Sequence, residues 1–181
     1  AYVDSRGCVV CDQYAAGGIF SLDNGSTWYT AVDRSLLLQK RDNNEDLSKV
    51  CVSLVTNLNG VFRSISAFNQ DISSWDVSNV TSMDRLFEGA TVFDQDIGNW
   101  DVSRVTSMSS TFKGASLFNQ DLNNWDVASV SNMASLFQGC QSFDQNLDGW
   151  NISNVTSMNR MFFGASNFNG SIQNWDVSSV T

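Results

Sequence analysis

The chain has 181 residues, 42% of them hydrophobic, with no proline, no histidine and a formal charge of −9 at neutral pH. Without imidazole there is no ordinary neutral-pH proton shuttle, no Ser/His/Asp or Cys/His catalytic set and no nitrogen ligand of the usual kind for a metal. Residues 67–181 carry twelve acids against four bases, −8, whereas residues 1–66 sum to −1; so acidic a surface repels phosphate and argues against a nucleic-acid partner.

Residues 1–46 follow no repeat. Gly18–Leu22 and Ser26–Asp33 are rich in β-branched and aromatic residues and are predicted strands. Asp23-Asn24-Gly25 between them is a hairpin signal. Arg34–Lys40 reads as a short helix with Asp33 as its N-cap. Arg41–Asp46 is a polar loop. This segment is expected to form an N-terminal cap.

From Phe68 the chain repeats every 25 residues. FNQDISSWDVSNVTSMDRLFEG at Phe68 returns in variant form at Phe93, Phe118, Phe143 and Phe168. Its tryptophans fall at Trp75, Trp100, Trp125, Trp150 and Trp175. A worn copy starts at Leu47, with Val50 at the tryptophan position. A period in this range indicates a solenoid or array. The predicted fold is an α+β solenoid over residues 47–181, leucine-rich-repeat-like, its first copy degenerate and its last cut off at Thr181. The sequence thus reads as a fragment whose targeting and anchoring parts lie outside it. It contains no 18-residue apolar run that could span a membrane.

Within one repeat, Phe68, Ile72, Trp75, Val77, Val80, Met83, Leu86 and Phe87 are the recurring apolar positions. Trp75 and Val77, two apart, predict a short strand with both side chains on one side. Met83, Leu86 and Phe87 have helical spacing and predict a short helical or 3₁₀ turn. Gly89, Gly114, Gly139 and Gly164 would end that turn as C′ glycines. A buried aromatic contributes about 1.5–3 kcal/mol in transfer terms, so the tryptophan and phenylalanine columns are expected to dominate stability.

The pattern FNQDIS-x-WDVSNVTSM-x-x-(M/L)F-x-GA resembles the bacterial surface protein repeat of the BspA-like group, the Mycoplasma lipoprotein-type relative of leucine-rich repeats. The resemblance covers residues 47–181 and departs from the pattern at Asn146, Asn151, Gly170 and Ser171. It implies a solenoid displayed extracellularly, anchored to a cell surface, with an adhesion or recognition role and no enzymatic one. For such a bacterial protein the N-x-S/T triplets at Asn24, Asn79, Asn151, Asn154 and Asn169 are coincidences of sequence.

Two acidic ladders are the candidate sites. Asp76, Asp101, Asp126, Asn151 and Asp176 form the first and are the candidate binding residues; Asp71, Asp96 and Asp121, followed by Asn146, form the second. Carboxylates are hard oxygen ligands, so either ladder is a candidate stripe for Ca²⁺ or a cationic ligand, with Asp71, Asp96 and Asp121 as the candidate calcium residues. No known calcium-loop motif accompanies them. Equally, each carboxylate could accept a nearby backbone N–H and so serve the fold. Asn69, Asp94, Asn119, Asp144 and Asn169 resemble an asparagine ladder bonding backbone inside its own turn. Thr81, Thr106, Ser131, Thr156 and Thr181 form a hydroxyl column of the kind that can meet ice.

Cys8, Cys11, Cys51 and Cys140 are the cysteines. Cys8-Val-Val-Cys11 has redox or zinc spacing but lacks a second pair and a βαβ setting. A disulfide from Cys8 or Cys11 to Cys51, tying the cap to the worn repeat in an oxidising compartment, is the expected use. Cys140, in a slot otherwise held by alanine, reads as a buried free thiol. No cofactor is expected unless the ladders take calcium. Three functional readings remain: adhesion to a protein or glycan through the extended face, a structural stalk, and ice or mineral binding. The strand-face residues Ser74, Asp76, Asn99, Asp101, Asn124, Asp126, Gly149, Asn151, Asn174 and Asp176 form a polar face without aromatics, which leaves the first two open.

Overall fold

The computed structural model describes all residues, Ala1–Thr181. Regular secondary structure is confined to the first 51 residues: β1 (Tyr2–Val3), β2 (Val9–Val10), β3 (Ile19–Ser21), β4 (Trp28–Ala31), α1 (Arg34–Asp42), a 3₁₀ turn at Leu47–Lys49 and β5 (Val50–Cys51). β3 and β4 form an antiparallel hairpin around Asp23-Asn24-Gly25, with Asn24 at φ 56° and Gly25 at φ 94°. β4 then pairs in parallel with β5, Thr30 opposite Val50 and Ala31 opposite Cys51. The hairpin is thereby built onto the worn repeat. α1 starts at Asp33, whose carboxylate accepts the Leu36 N–H, and buries Leu37 in the main core.

From Leu58 onward the 25-residue units stack, and the backbone bonds show how. Met83, Arg85, Phe87 and Gly89 donate to the carbonyls of Ser107, Ser109, Thr111 and Lys113, each 24 residues ahead. The same four-rung pattern joins Leu58–Ser64 to the Phe68 repeat, Met108–Gly114 to the Phe118 repeat, and Met133–Gly139 to residues Ser157–Phe163. Thr81, Thr106, Ser131, Thr156 and Thr181 donate 25 residues back along the stack. The main core is one cluster built of columns, and a smaller one of Val9, Cys11, Phe20, Ala31 and Cys51 lies beneath the N-terminal hairpins. Phe62, Phe87, Phe112, Phe137 and Phe162 stack at 5.6–5.7 Å between ring centres. Phe68, Phe93, Phe118, Phe143 and Phe168 stack at 5.8–6.0 Å. Nε1 of each of the five repeat tryptophans donates to a carbonyl 28 residues earlier, Trp75 to Leu47 at 3.0 Å and Trp100 to Ile72 at 3.2 Å.

The local elements of the repeat differ from those predicted. Met83–Phe87 is a run of turns and no helix. Leu86 and Glu88 donate three residues back, to Met83 and Arg85, while the alternate N–H groups leave for the next repeat. A helix would keep every N–H inside the coil; here a stacked neighbour supplies every second acceptor. The alternation needs a left-handed residue, and Arg85, Ser110, Ser135 and Arg160 take that role at φ 57–59°. Gly89 and its equivalents also have positive φ, 72–77°, so they serve the backbone turn without ending a helix.

Trp75–Val77 likewise is no strand: Trp75 makes one isolated parallel bridge, to Val9. On this flank Trp75 and Val80 donate back to Ile72 and Val77 within the repeat, so no inter-repeat ladder forms. The β-like bridges occur instead at Asn57, Ser82, Ser107, Asn132 and Ser157.

Candidate binding face

The tryptophan flank is defined by the Asx turns that the WDVS and WNIS segments make. Oδ1 of Asp76, Asp101, Asp126, Asn151 and Asp176 accepts the N–H two residues on, at 3.0–3.2 Å. Each rung therefore bonds its own backbone with one oxygen. The rungs are not equivalent. Asp76 is buried and also accepts the Ser53 hydroxyl at 2.8 Å. Asp101 is half-buried, and Asp126, Asn151 and Asp176 are exposed.

The difference comes from residues 1–11, which sequence reading placed in the cap without a structure of their own. β1 and β2 form a second antiparallel hairpin, Tyr2 opposite Val10, closed through Asp4 and Gly7. The run Tyr-Val-Asp-Ser-Arg-Gly, two apolar residues before a polar turn ending in glycine, is the sequence signal for it. This hairpin does not sit on the end of the stack. It lies along the tryptophan flank: the Val9 N–H donates to Ser74 at 2.8 Å, and Asn99 Nδ2 donates to the Arg6 carbonyl at 3.0 Å. The Arg6 guanidinium bonds Asp4 at 2.6 Å and Asp101 at 2.7 Å and lies 3.9 Å from Asp76.

Electrostatics follow. Burial raises the Asp101 carboxyl, but bonds from Ser103 and Arg6 outweigh it and hold the group below the usual carboxylate value. Asp4 behaves the same way, with Arg6 and the Cys8 N–H as its donors. Burial alone would lower the Arg6 guanidinium, and Asp4 with Asp101 raise it instead. Asp176 is lowered chiefly by the Ser178 hydroxyl.

The second ladder is exposed and separately bonded. Asp71 Oδ1 takes the Ser73 N–H and hydroxyl, Asp96 the Gly98 N–H and Asp121 the Asn123 N–H, at 2.7–3.0 Å. Nowhere do three or more Asp, Glu, Cys or His groups gather in a way that could hold a metal ion. The Asn69 series differs from expectation: each side-chain oxygen bonds the next repeat, Asn69 to the Asp94 N–H and Asp94 to the Asn119 N–H at 2.9 Å. The signal was available, since Asp replaces Asn freely in the series and only the shared acceptor oxygen is needed. The hydroxyl column donates to carbonyls 25 residues back, Thr106 to Thr81 at 3.1 Å.

Cys11 bonds Cys51, fixing residues 1–11 to the worn repeat. Cys8 and Cys140 are buried free thiols, pushed up by burial to about 11 and about 12; at neutral pH they carry almost no thiolate. The tryptophans at 75, 100, 125 and 150 are buried and Trp175 is half-buried. No helix is long and apolar enough to cross a membrane.

No curated protein and no solved structure matches the chain. A family model described as "Mycoplasma protein of unknown function, DUF285" matches residues 34–149 and again 95–181. The two overlapping matches together cover residues 34–181, most of the chain, which is therefore a repeat protein belonging to that family.

Proposed function

We propose that the chain is a leucine-rich-repeat-like solenoid acting as a recognition module at a cell surface, binding a protein partner along its tryptophan flank. The observation that carries this reading is the chain's own N-terminal hairpin. That flank already seats an extended segment on the Phe68 and Phe93 repeats, through Asn99, Asp101 and the Ser74 carbonyl. The groups that hold it recur in later repeats, where they face solvent. Many weak contacts along a repeated face add up to useful avidity. The Cys11–Cys51 disulfide fits an oxidising, extracellular setting. On this reading the chain binds and does not catalyse, and neutral glycans are the second class of ligand.

A stalk role has its own support. Four backbone bonds per junction and continuous aromatic columns make a stiff spacer. The test is to immobilise the intact chain and screen defined extracellular proteins and glycans. The expected result is a retained protein whose binding falls when Asp126→Asn and Asp176→Asn are combined. No retained partner favours the stalk; a retained partner indifferent to both substitutions keeps the recognition role and moves the contact off these carboxylates.

A further inference from the structure

The pair that captures Arg6 is repeated. Asn99 and Asp101 hold one residue at two points: the amide takes its backbone carbonyl and the carboxylate its guanidinium, at 3.0 and 2.7 Å. Asn124 and Asp126 stand at the same two positions in the next repeat. Their surroundings match: Trp100 and Trp125 are both buried beside them, and Val102 and Val127 are each 1% exposed. Both pairs line one cleft, continuous from Arg6 to Asp126. The difference is occupancy. Asp126 has no cation within 4 Å, and its carboxylate bonds only the Ala128 N–H. Lys113, the nearest cation in sequence, pairs with Glu88 at 3.3 Å, and Arg104 turns back to Asn79 at 3.0 Å.

From this juxtaposition we propose that Asn124 and Asp126 form a docking site for an arginine in an extended segment of a partner protein, held as Arg6 is held one repeat earlier. The inference rests on the recognition reading above and names its partner chemistry. It stands on the occupied equivalent pair and not on acidity alone. Arginine is selected over lysine because a planar fork bonds a carboxylate while the backbone stays in reach of the amide. The pair is broken at Gly149 and Asn151 and returns at Asn174 and Asp176. A second arginine would thus dock two repeats on, two steps of the tryptophan column, whose ring centres lie 6.3 Å apart per repeat.

The experiment uses the intact chain and N-acetyl-Gly-Arg-Gly-amide, followed by residue-resolved NMR titration. The expected result is a saturable shift, with a millimolar midpoint, at the Asn124 side-chain amide and the Asp126 backbone. Asp126→Asn, which keeps the oxygen that accepts the Ala128 N–H, is expected to weaken binding at least tenfold; the lysine peptide should bind several-fold more weakly. An unsaturable shift spread over the acidic surface overturns the proposal, as does an unchanged midpoint in Asp126→Asn or equal binding of the lysine peptide. Arg6→Ala serves as the internal control, because it frees the Asp101 carboxylate for the peptide guanidinium while Asn99 stays on the carbonyl of residue 6. Binding there but never at Asn124 and Asp126 overturns the docking site while leaving the recognition reading intact. A partner found by screening that ignores Asp126 does the same.

Discussion

The repeats at the two ends of the stack carry the same motif in different surroundings. Ile72, Val77 and Trp75 in the Phe68 repeat are at most 1% exposed, whereas Ile172 is 38% and Val177 54% exposed, and Trp175 is only half-buried. Identical side chains at identical positions thus differ in burial according to what lies against them. The Phe68 repeat has the worn repeat on one side, the Phe93 repeat on the other, and the N-terminal hairpin along its flank. Order in this molecule is supplied by neighbours, as expected where each unit contacts mainly the next.

The largest test of that contrast compares tryptophans. Trp100→Ala is expected to cost about 3–5 kcal/mol in urea unfolding, the range for a buried aromatic. Trp175→Ala should cost less, about 1–2 kcal/mol, because its side chain is only partly buried. Equal losses would break the comparison. Next in size is the disulfide. Cys51→Ser is expected to cost about 2–4 kcal/mol, with amide protection lost in residues 1–50 and retained in the Phe118 repeat. Uniform loss along the chain would mean that the stack melts as one body.

Arg6→Ala sharpens the comparison at the flank. Half-exposed charged bonds contribute modestly, about 1–2 kcal/mol here, and the loss should be read as mobility of residues 1–10. The same contact gives a pH dependence. Asp4 and Asp101 have lowered folded-state values, so their contribution is complete above the ordinary aspartate range. It fades as pH falls below about 4. Acid should therefore release the hairpin before the aromatic columns open, seen as early exchange of the Val9 N–H. The smallest expected effect is a gain: Ser110→Gly removes a side chain from φ 59°. Relief of about 1 kcal/mol, partly offset by the added freedom of the unfolded chain, should leave a few tenths of a kcal/mol of stabilisation.

The sequence shows its period, its aromatic columns and the hairpin at Asp23-Asn24-Gly25 directly, because each is carried by residue type at fixed spacing. The turns of the repeat are not legible in the same way. Met83, Leu86 and Phe87 have helical spacing, but spacing cannot show that a stacked neighbour will take every second N–H. Nor does anything in the Arg85 or Ser110 side chain announce a left-handed backbone. The role of Arg6 was hidden for a related reason. Its partners Asn99 and Asp101 lie more than 90 positions away, and only the path of the N-terminal hairpin brings them together.

The most direct test of neighbour-supplied order is residue-resolved hydrogen exchange on the intact chain. Met133, Ser135, Phe137 and Gly139 donate their N–H groups to the next repeat, while Met158, Arg160, Phe162 and Gly164, at the same motif positions, have no acceptor within residues 1–181, the polypeptide to be measured. Strong protection of the first four amides with rapid exchange of the second four is the predicted result. Equal protection of both sets would contradict it, and would mean that the turns are held from within each repeat.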